Sequence, residues 1–138
     1  MPIDGVLETC LYAEELEEAE RFYSGVLGLP VVSREAGRHV FLRCGSAMLL
    51  VFDPARTASA PGQVGGTPVP THGARGPGHV CFQVAAEELH SWRERFTRAG
   101  VAIEAEIAWP RGGSSLYVRD PAGNSVELAP AGIWSQPG

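Results

Sequence analysis

Polar and apolar residues follow two different periods along the chain, and these periods predict its elements. From Leu7 to Tyr12 they alternate, as in a half-buried strand. From Glu14 to Leu27 apolar residues recur every three or four positions, which predicts an amphipathic helix that Gly28 ends. Mainly apolar stretches then predict three further strands, over residues 31–33, 39–43 and 48–52.

The same order of patterns returns after residue 78. Residues 79–84 alternate, and the helical spacing of Leu89, Trp92, Phe96 and Ala99 predicts a second helix. Strands are expected over 101–108, 116–120 and 125–129, the last two joined by a Pro-Ala-Gly-Asn turn. A repeated supersecondary unit is typical of a duplicated fold. We therefore predict an α+β fold of two tandem βαβββ modules.

The repeat also sets the expected domain organisation. A chain of 138 residues fits one domain, here 1–138. Its first module covers 5–53 and its second 78–130. Residues 54–77 are rich in Pro, Gly, Ala and Thr and show no periodicity, so they are interpreted as a linker in which His72 is solvent-exposed. The tail, 131–138, contains Trp134, which is expected to pack on a groove or on a partner subunit.

Composition excludes several classes of function. The net charge is −5 and disfavours a nucleic-acid partner. All eleven basic residues are arginines, so no lysine can form a Schiff base. Three cysteines without Cys-x-x-Cys spacing indicate neither a disulfide scaffold nor a zinc ribbon and favour a reducing, cytoplasmic setting. No signal-peptide or transmembrane pattern is seen, so no membrane partner is expected.

Three groups of residues resemble motifs of a known family. They are Phe22-Tyr23 with Leu27-Gly28-Leu29, Gly78-His79-Val80, and the run from Tyr117 to Leu128. Together they resemble the vicinal oxygen chelate superfamily over roughly residues 5–130. That superfamily includes glyoxalase I, extradiol dioxygenases, fosfomycin-resistance transferases and bleomycin-binding proteins. The resemblance implies two half-barrel sheets, and it leaves the reaction open because one fold carries many activities.

The resemblance also implies a metal site. In the family, ligands come from the first and last strands of each module and point into a shared cavity. The matching positions here are Glu8, His79 and Glu127. The fourth position, matched to Glu127 by aligning Gly45 with Gly123, is Leu49, which cannot coordinate a metal. One imidazole and two carboxylates suit Mn, Fe, Ni, Co or Zn. Each residue alone also fits a structural or surface role, but their shared register favours the site.

The same register gives an expected lining for a small-molecule substrate. Glu8, Glu127 and Tyr117 are the candidate catalytic residues, and Tyr117 and Ser115 match positions where fosfomycin-resistance transferases place hydroxyls on the substrate. Arg111 could bind a carboxylate or phosphonate through two hydrogen bonds, or it could remain solvated. Cys10 and Cys81 are expected to be buried and could act only as small apolar residues. The expected substrate-binding residues are Cys10, Phe41, Leu49, Cys81, Arg111, Ser115, Tyr117 and Arg119, with Ala47 and Val51 beside Leu49.

Two functions from different classes remain. The first is a metal-dependent lyase, isomerase or thiol transferase in which the ion acts as a Lewis acid. The second is a metal-free protein that sequesters a drug, as the bleomycin-binding relatives do. The ligand set favours the enzyme. An extradiol dioxygenase would need histidine at position 8 and a glyoxalase a ligand at Leu49, so both are disfavoured. A homodimer is expected because sheet edges need covering.

Overall fold

A computed structural model describes residues 1–135 of the protein. The contacts between its residues divide the chain into two compact units, Met1–Gly76 and Pro77–Gly138. Each unit contains one four-stranded sheet, and each is described on its own. Among the described residues, no helix is long and apolar enough to span a membrane.

The first unit has the strand and helix order that its sequence predicts. Its sheet runs β1-β4-β3-β2, with β1 parallel to β4 and the other neighbours antiparallel. The helix α1 continues without a break as a π-helical segment, and Gly28, at φ +80°, follows its end. The elements are β1 Glu8–Tyr12, α1 Leu16–Glu20, the π-helical Arg21–Val26, β2 Val31–Glu35, β3 His39–Cys44 and β4 Ala47–Phe52.

The two faces of this sheet differ in burial. Leu49 pairs with Leu42, and both side chains are almost fully buried, as is that of Val51. Leu50 pairs with Phe41 in β3 and with Cys10 in β1. Because neighbouring residues of a strand point to opposite faces, Leu49 lies on the face opposite Cys10 and Phe41. The prediction that Ala47, Leu49 and Val51 line the site with Cys10 and Phe41 is therefore wrong; Met48, Leu50 and Phe52 share that face instead.

The segment 54–77 is not the structureless linker that its composition suggests. It contains α2 Pro54–Ser59 and a short hairpin of β5 Gln63–Val64 and β6 Thr67–Pro68. Asp53 caps α2 by accepting a hydrogen bond from the Ala55 amide at 3.0 Å, and proline occupies the first helical position. These elements are too short to produce a detectable hydrophobic period.

The second unit repeats the topology of the first. Its sheet runs β7-β10-β9-β8, with β7 parallel to β10, and the predicted duplication is thus confirmed. The elements are β7 His79–Gln83, the 3₁₀ turn Ala86–Glu88, α3 Leu89–Arg98, β8 Ala105–Ala108, β9 Ser114–Arg119, β10 Ser125–Ala129 and the 3₁₀ turn Ala131–Trp134. The end of the predicted tail, residues 136–138, lies outside the described residues.

One face of the second sheet is apolar and the other carries polar groups. Val126 and Leu128 of β10 are buried, and they pair with Val118 and Leu116 of β9, which are buried as well. The intervening Glu127 points to the other face, together with its register partners Cys81 and Tyr117. The sheet therefore presents a carboxylate among polar neighbours at the centre of its second face.

The predicted turn between β9 and β10 ties the sheet to the start of β7. Asp120 accepts hydrogen bonds from the amides of Ala122 and Asn124 at 2.9 and 2.8 Å. The Asn124 side-chain oxygen in turn accepts a hydrogen bond from the Gly78 amide at 2.8 Å. Since Gly78 immediately precedes His79, this turn fixes the position of that histidine.

Candidate metal centre

A histidine and a glutamate from neighbouring strands of the second unit meet side by side. The His79 Nε2 atom lies 3.3 Å from Glu127 Oε1. His79 Nδ1 lies 3.1 Å from the Ser125 carbonyl oxygen, which can only accept a hydrogen bond, so Nδ1 carries the proton. This hydrogen bond leaves Nε2 as the nitrogen available to a proton or a metal. The His79 side chain is 52% exposed, whereas that of Glu127 is 8% exposed.

The second oxygen of Glu127 is held by a chain of hydrogen bonds. The Ser115 hydroxyl donates to Glu127 Oε2 at 2.5 Å. The Trp109 indole N–H donates to the Ser115 oxygen at 2.8 Å. Because both donors are fixed on or next to β9, the carboxylate has one preferred orientation, with Oε1 directed toward His79.

Two further proton donors surround Glu127. Burial, the Glu127 charge and a hydrogen bond to Glu127 raise the pKa of the Cys81 thiol to about 12. Burial, followed by the charge of Glu127, also raises the pKa of Tyr117, whose ring stacks on His79 at 6.3 Å between centroids. Both groups are therefore protonated near neutral pH and can donate hydrogen bonds.

The geometry of this pair fits two ligands on one divalent ion. Bonds of about 2.0–2.2 Å from an ion to an imidazole nitrogen and a carboxylate oxygen place the two donor atoms about 3.0–3.5 Å apart. The 3.3 Å separation of His79 and Glu127 lies in this range. Within the part of the chain that the structure describes, no group of three or more His, Cys, Asp or Glu side chains is assembled for a metal. Glu8 starts β1 of the first unit, and its role as a third ligand stays a prediction.

Only some of the other predicted site residues lie next to Glu127. Ser115, Tyr117 and Cys81 lie with Glu127, as described above. Arg119 donates to both carboxylate oxygens of Glu104, at 2.8 and 3.2 Å, and to the Gly123 carbonyl, so an ion pair occupies its guanidinium. Cys10 and Phe41 lie on one face of the first sheet. The expectation that Cys10 and Cys81 are buried is wrong, since both residues are exposed; partial burial, followed by the Glu8 charge, still raises the pKa of Cys10.

Sequence reasoning missed an aromatic cluster in the first unit. His72 is exposed as expected, but its Nδ1 atom lies 2.7 Å from the Tyr12 hydroxyl and its ring is 4.8 Å from that of Phe52. Phe52 in turn contacts Phe41, on which His39 stacks at 3.9 Å. The aromatic residues themselves were visible in the sequence. Tyr12, His39, Phe41 and Phe52 meet because they share one face of the sheet. Only the approach of His72 depends on the path of the 54–77 segment, which shows no hydrophobic period.

This cluster predicts a pH dependence of stability. Burial, which outweighs the opposing effect of Glu35, lowers the pKa of His39 below its unfolded value of about 6.5. Folding then favours the neutral ring, so the stability it contributes is present above pH 6.5 and is lost as the pH falls toward the folded pKa. We expect the free energy of unfolding, measured by urea titration, to decrease between pH 7 and 5, and to decrease less in His39→Gln. Thr97→Ala offers a control, because it changes an exposed residue that carries no group titrating between pH 7 and 5 and should keep the wild-type dependence; equal slopes in both variants would refute the effect.

Solved structures of other proteins share the fold of this chain. A crystal structure of lactoylglutathione lyase from Agrobacterium tumefaciens is 42% identical, with 99% of this chain and 100% of that chain covered at a TM-score of 0.90. An integron cassette protein from the metagenome of the Halifax Harbour sewage outfall is 20% identical, with 93% and 99% covered and a TM-score of 0.72.

A third structure shares the fold at lower identity. It is a mutant of the fosfomycin resistance protein FosX from Listeria monocytogenes, complexed with Mn(II) and 1S,2S-dihydroxypropylphosphonic acid. It is 18% identical, with 94% of this chain and 93% of that chain covered and a TM-score of 0.68. No curated protein matches the chain. The family model described as Glyoxalase/Bleomycin resistance protein/Dioxygenase superfamily matches residues 5–128, and the chain belongs to that superfamily.

Proposed function

We propose that the protein is a divalent-metal-dependent enzyme acting on a small organic substrate that chelates the ion through oxygen atoms. The observation that carries the proposal is the pairing of His79 Nε2 with Glu127 Oε1 at 3.3 Å. Both residues are oriented by partners at their other ends, the Ser125 carbonyl and the Ser115 hydroxyl. Such outer partners are typical of metal-binding histidines and carboxylates.

Each residue of the centre has a distinct expected task. His79 and Glu127 would hold the ion, with Glu8 as the third ligand expected from the sequence. The bound ion would supply Lewis-acid polarisation of a substrate oxygen. Ser115 keeps Glu127 in place, and the neutral Tyr117 hydroxyl can donate a hydrogen bond to a substrate oxygen. This set matches a site that binds oxygen-rich substrates.

The proposed ligand set has three protein members because the first sheet provides no counterpart of Glu127. Glu127 pairs with Cys81 in β7, and the residue in the equivalent register of the first unit is Leu50, which pairs with Cys10 in β1. Leucine has no donor atom, so a coordination position is left for water or substrate. Lyase, isomerase and thiol-transferase reactions all fit such a centre. Formation of lactoylglutathione is the first assay, because the 42% identical relative is a lactoylglutathione lyase.

The test of this proposal is the metal content of the purified protein. Elemental analysis should find a near-stoichiometric ion, among Mn, Fe, Co, Ni and Zn, in the natural chain and none in Glu127→Ala. Glu106→Ala is the matched control, since Glu106 pairs with Arg93 on the surface. No metal in the natural chain, even after each ion is supplied, would support the metal-free binding protein instead. The homodimer and the cytoplasmic location stay predictions.

The hydrogen bond from Ser115 to Glu127 is expected to strengthen metal binding. Replacement by alanine removes the donor to Glu127 Oε2 and leaves the indole N–H of Trp109 without its acceptor. Loss of an outer hydrogen-bond partner typically weakens metal binding by about 10–100-fold. We expect this loss for Mn²⁺ in calorimetric titrations of Ser115→Ala. Ser114→Ala changes the neighbouring residue and should bind as the natural chain does; equal affinities in the two variants would show that Ser115 does not support Glu127.

A further inference from the structure

A cleft of about 400 Å³ lies within the second unit, beside the candidate metal centre. It is formed by the loop that follows β8 and by the 3₁₀ turn at the end of the described chain. Its volume is within the range of small-molecule sites, about 300–1,000 Å³. The residues that line it are Trp109, Pro110, Arg111, Ile133, Trp134 and Ser135.

The two walls of this cleft are held closely together. Gly113 has φ +82°, and a Cβ atom added there would come within 2.8 Å of Ile133 Cγ2. The loop itself is closed by hydrogen bonds from the Trp109 amide to the Gly113 carbonyl at 2.9 Å and from the Gly112 amide to the Trp109 carbonyl at 3.0 Å. Because only glycine fits this contact, the loop and the 3₁₀ turn pack against each other in one specific way. This packing fixes the shape of the cleft.

The chemistry of the cleft combines flat apolar surface with one positive charge. The Trp134 residue is 82% exposed. Arg111 is exposed too, and over residues 1–135 no carboxylate forms an ion pair with it. A guanidinium binds a carboxylate through two parallel hydrogen bonds, and indole rings provide rigid apolar contact area. The complementary ligand is a planar apolar molecule that carries a carboxylate.

The cleft is connected to the metal centre through one of its walls. The Trp109 indole N–H donates to Ser115, whose hydroxyl donates to Glu127. A ligand in contact with Trp109 therefore lies two hydrogen bonds from the proposed metal-binding carboxylate. This link between the cleft wall and Glu127 is the observation on which the assignment of the cleft to a substrate rests.

We propose that this cleft is a substrate subsite for a planar organic carboxylate, with Arg111 on the carboxylate and the Trp109 and Trp134 rings on the apolar body. The assignment of its ligand as substrate rests on the proposed function. Binding in the cleft itself requires no metal, so it can be measured separately.

The test uses 2-naphthoate and the neutral 2-naphthamide in calorimetric titrations of the metal-free protein. We expect naphthoate to bind and Arg111→Gln to weaken it by about tenfold, as expected for a lost charge-assisted hydrogen-bonded pair. The same variant should leave naphthamide binding unchanged, whereas Trp134→Ala should weaken both. Arg98→Gln, at an exposed arginine of α3, is the matched control and should change neither.

The outcomes separate this proposal from that of the metal centre. In His79→Ala, naphthoate should bind as it does to the natural chain, because the cleft does not use that residue. Naphthoate binding with the Arg111 dependence, in a protein that takes up no metal, would support the cleft and overturn the proposed function. Metal uptake without naphthoate binding, or with binding that Arg111→Gln leaves unchanged, would overturn the subsite alone.

Discussion

Replacement of Glu127 by glutamine is expected to lower the affinity for Mn²⁺ by at least about a hundredfold, which exceeds the usual loss from an outer partner. Glutamine preserves the shape of the side chain and can still accept the hydrogen bond from Ser115. It removes the negative charge that a divalent ion requires. His79→Ala should cause a comparable loss, because it removes the nitrogen that lies 3.3 Å from Glu127 Oε1.

Matched controls make this prediction specific. Glu106→Gln and His90→Ala change surface residues of the same unit that pair with Arg93 and Glu94. Both should retain the Mn²⁺ affinity of the natural chain in calorimetric titrations. Glu8→Gln tests the third ligand predicted from the sequence and should also weaken binding. If Glu127→Gln and Glu106→Gln bind Mn²⁺ equally well, Glu127 is not a ligand.

The second large effect concerns the core beneath the site. Phe96 is fully buried in α3, which packs against β9 of the second sheet. Removal of its ring leaves a cavity, and Phe→Ala replacements in cores typically cost about 3–5 kcal/mol. Because domains of this size have total stabilities of about 5–15 kcal/mol, the variant should lose a large share of its free energy of unfolding.

Urea unfolding followed by circular dichroism measures this loss. Thr97→Ala is the control, since Thr97 is the exposed neighbour in the same helix and its replacement should change stability by about 0.5 kcal/mol or less. A Phe96→Ala variant as stable as Thr97→Ala would show that α3 does not pack on the sheet as described. Saturating Mn²⁺ should raise the unfolding midpoint of both variants, because an ion that binds only the folded state stabilises it.

Much of the fold could be predicted because the same order of polar and apolar patterns occurs twice along the chain. The strand over 125–129 has the predicted bounds, and both sheets have the strand order expected for duplicated βαβββ modules. The helix α2 and the β5–β6 hairpin could not be predicted by period, since elements of six and two residues are shorter than the window that a period needs. The cap by Asp53 and the following proline was the only local signal there.

The error at Leu49 has a specific physical cause. Counting from Gly45 and Gly123 assumed hairpins of equal length, but a two-residue turn joins β3 to β4, whereas five residues, 120–124, join β9 to β10. Hairpin length sets register, so the count was displaced by one residue and reached the wrong face. Strand β4 is apolar throughout and therefore contains no alternation that could have corrected it.

The candidate site could be predicted only in part, because some of its contacts depend on backbone conformation. The resemblance to a known family indicated His79 and Glu127, which the structure brings together. Their supports, the Ser125 carbonyl and the Trp109 indole, depend on backbone direction and on the conformation of a loop. Neither feature has a signature in the order of residues. The role of Trp109 could be seen only once the loop that carries it was placed.

The most direct test of the metal centre is the position of a bound ion. Crystals grown with Mn²⁺ should show an anomalous difference peak about 2.2 Å from both His79 Nε2 and Glu127 Oε1. The His79 Nδ1 hydrogen bond to the Ser125 carbonyl should persist beside it. A peak bound elsewhere, or no peak near these two atoms at saturating Mn²⁺, would contradict the proposed centre.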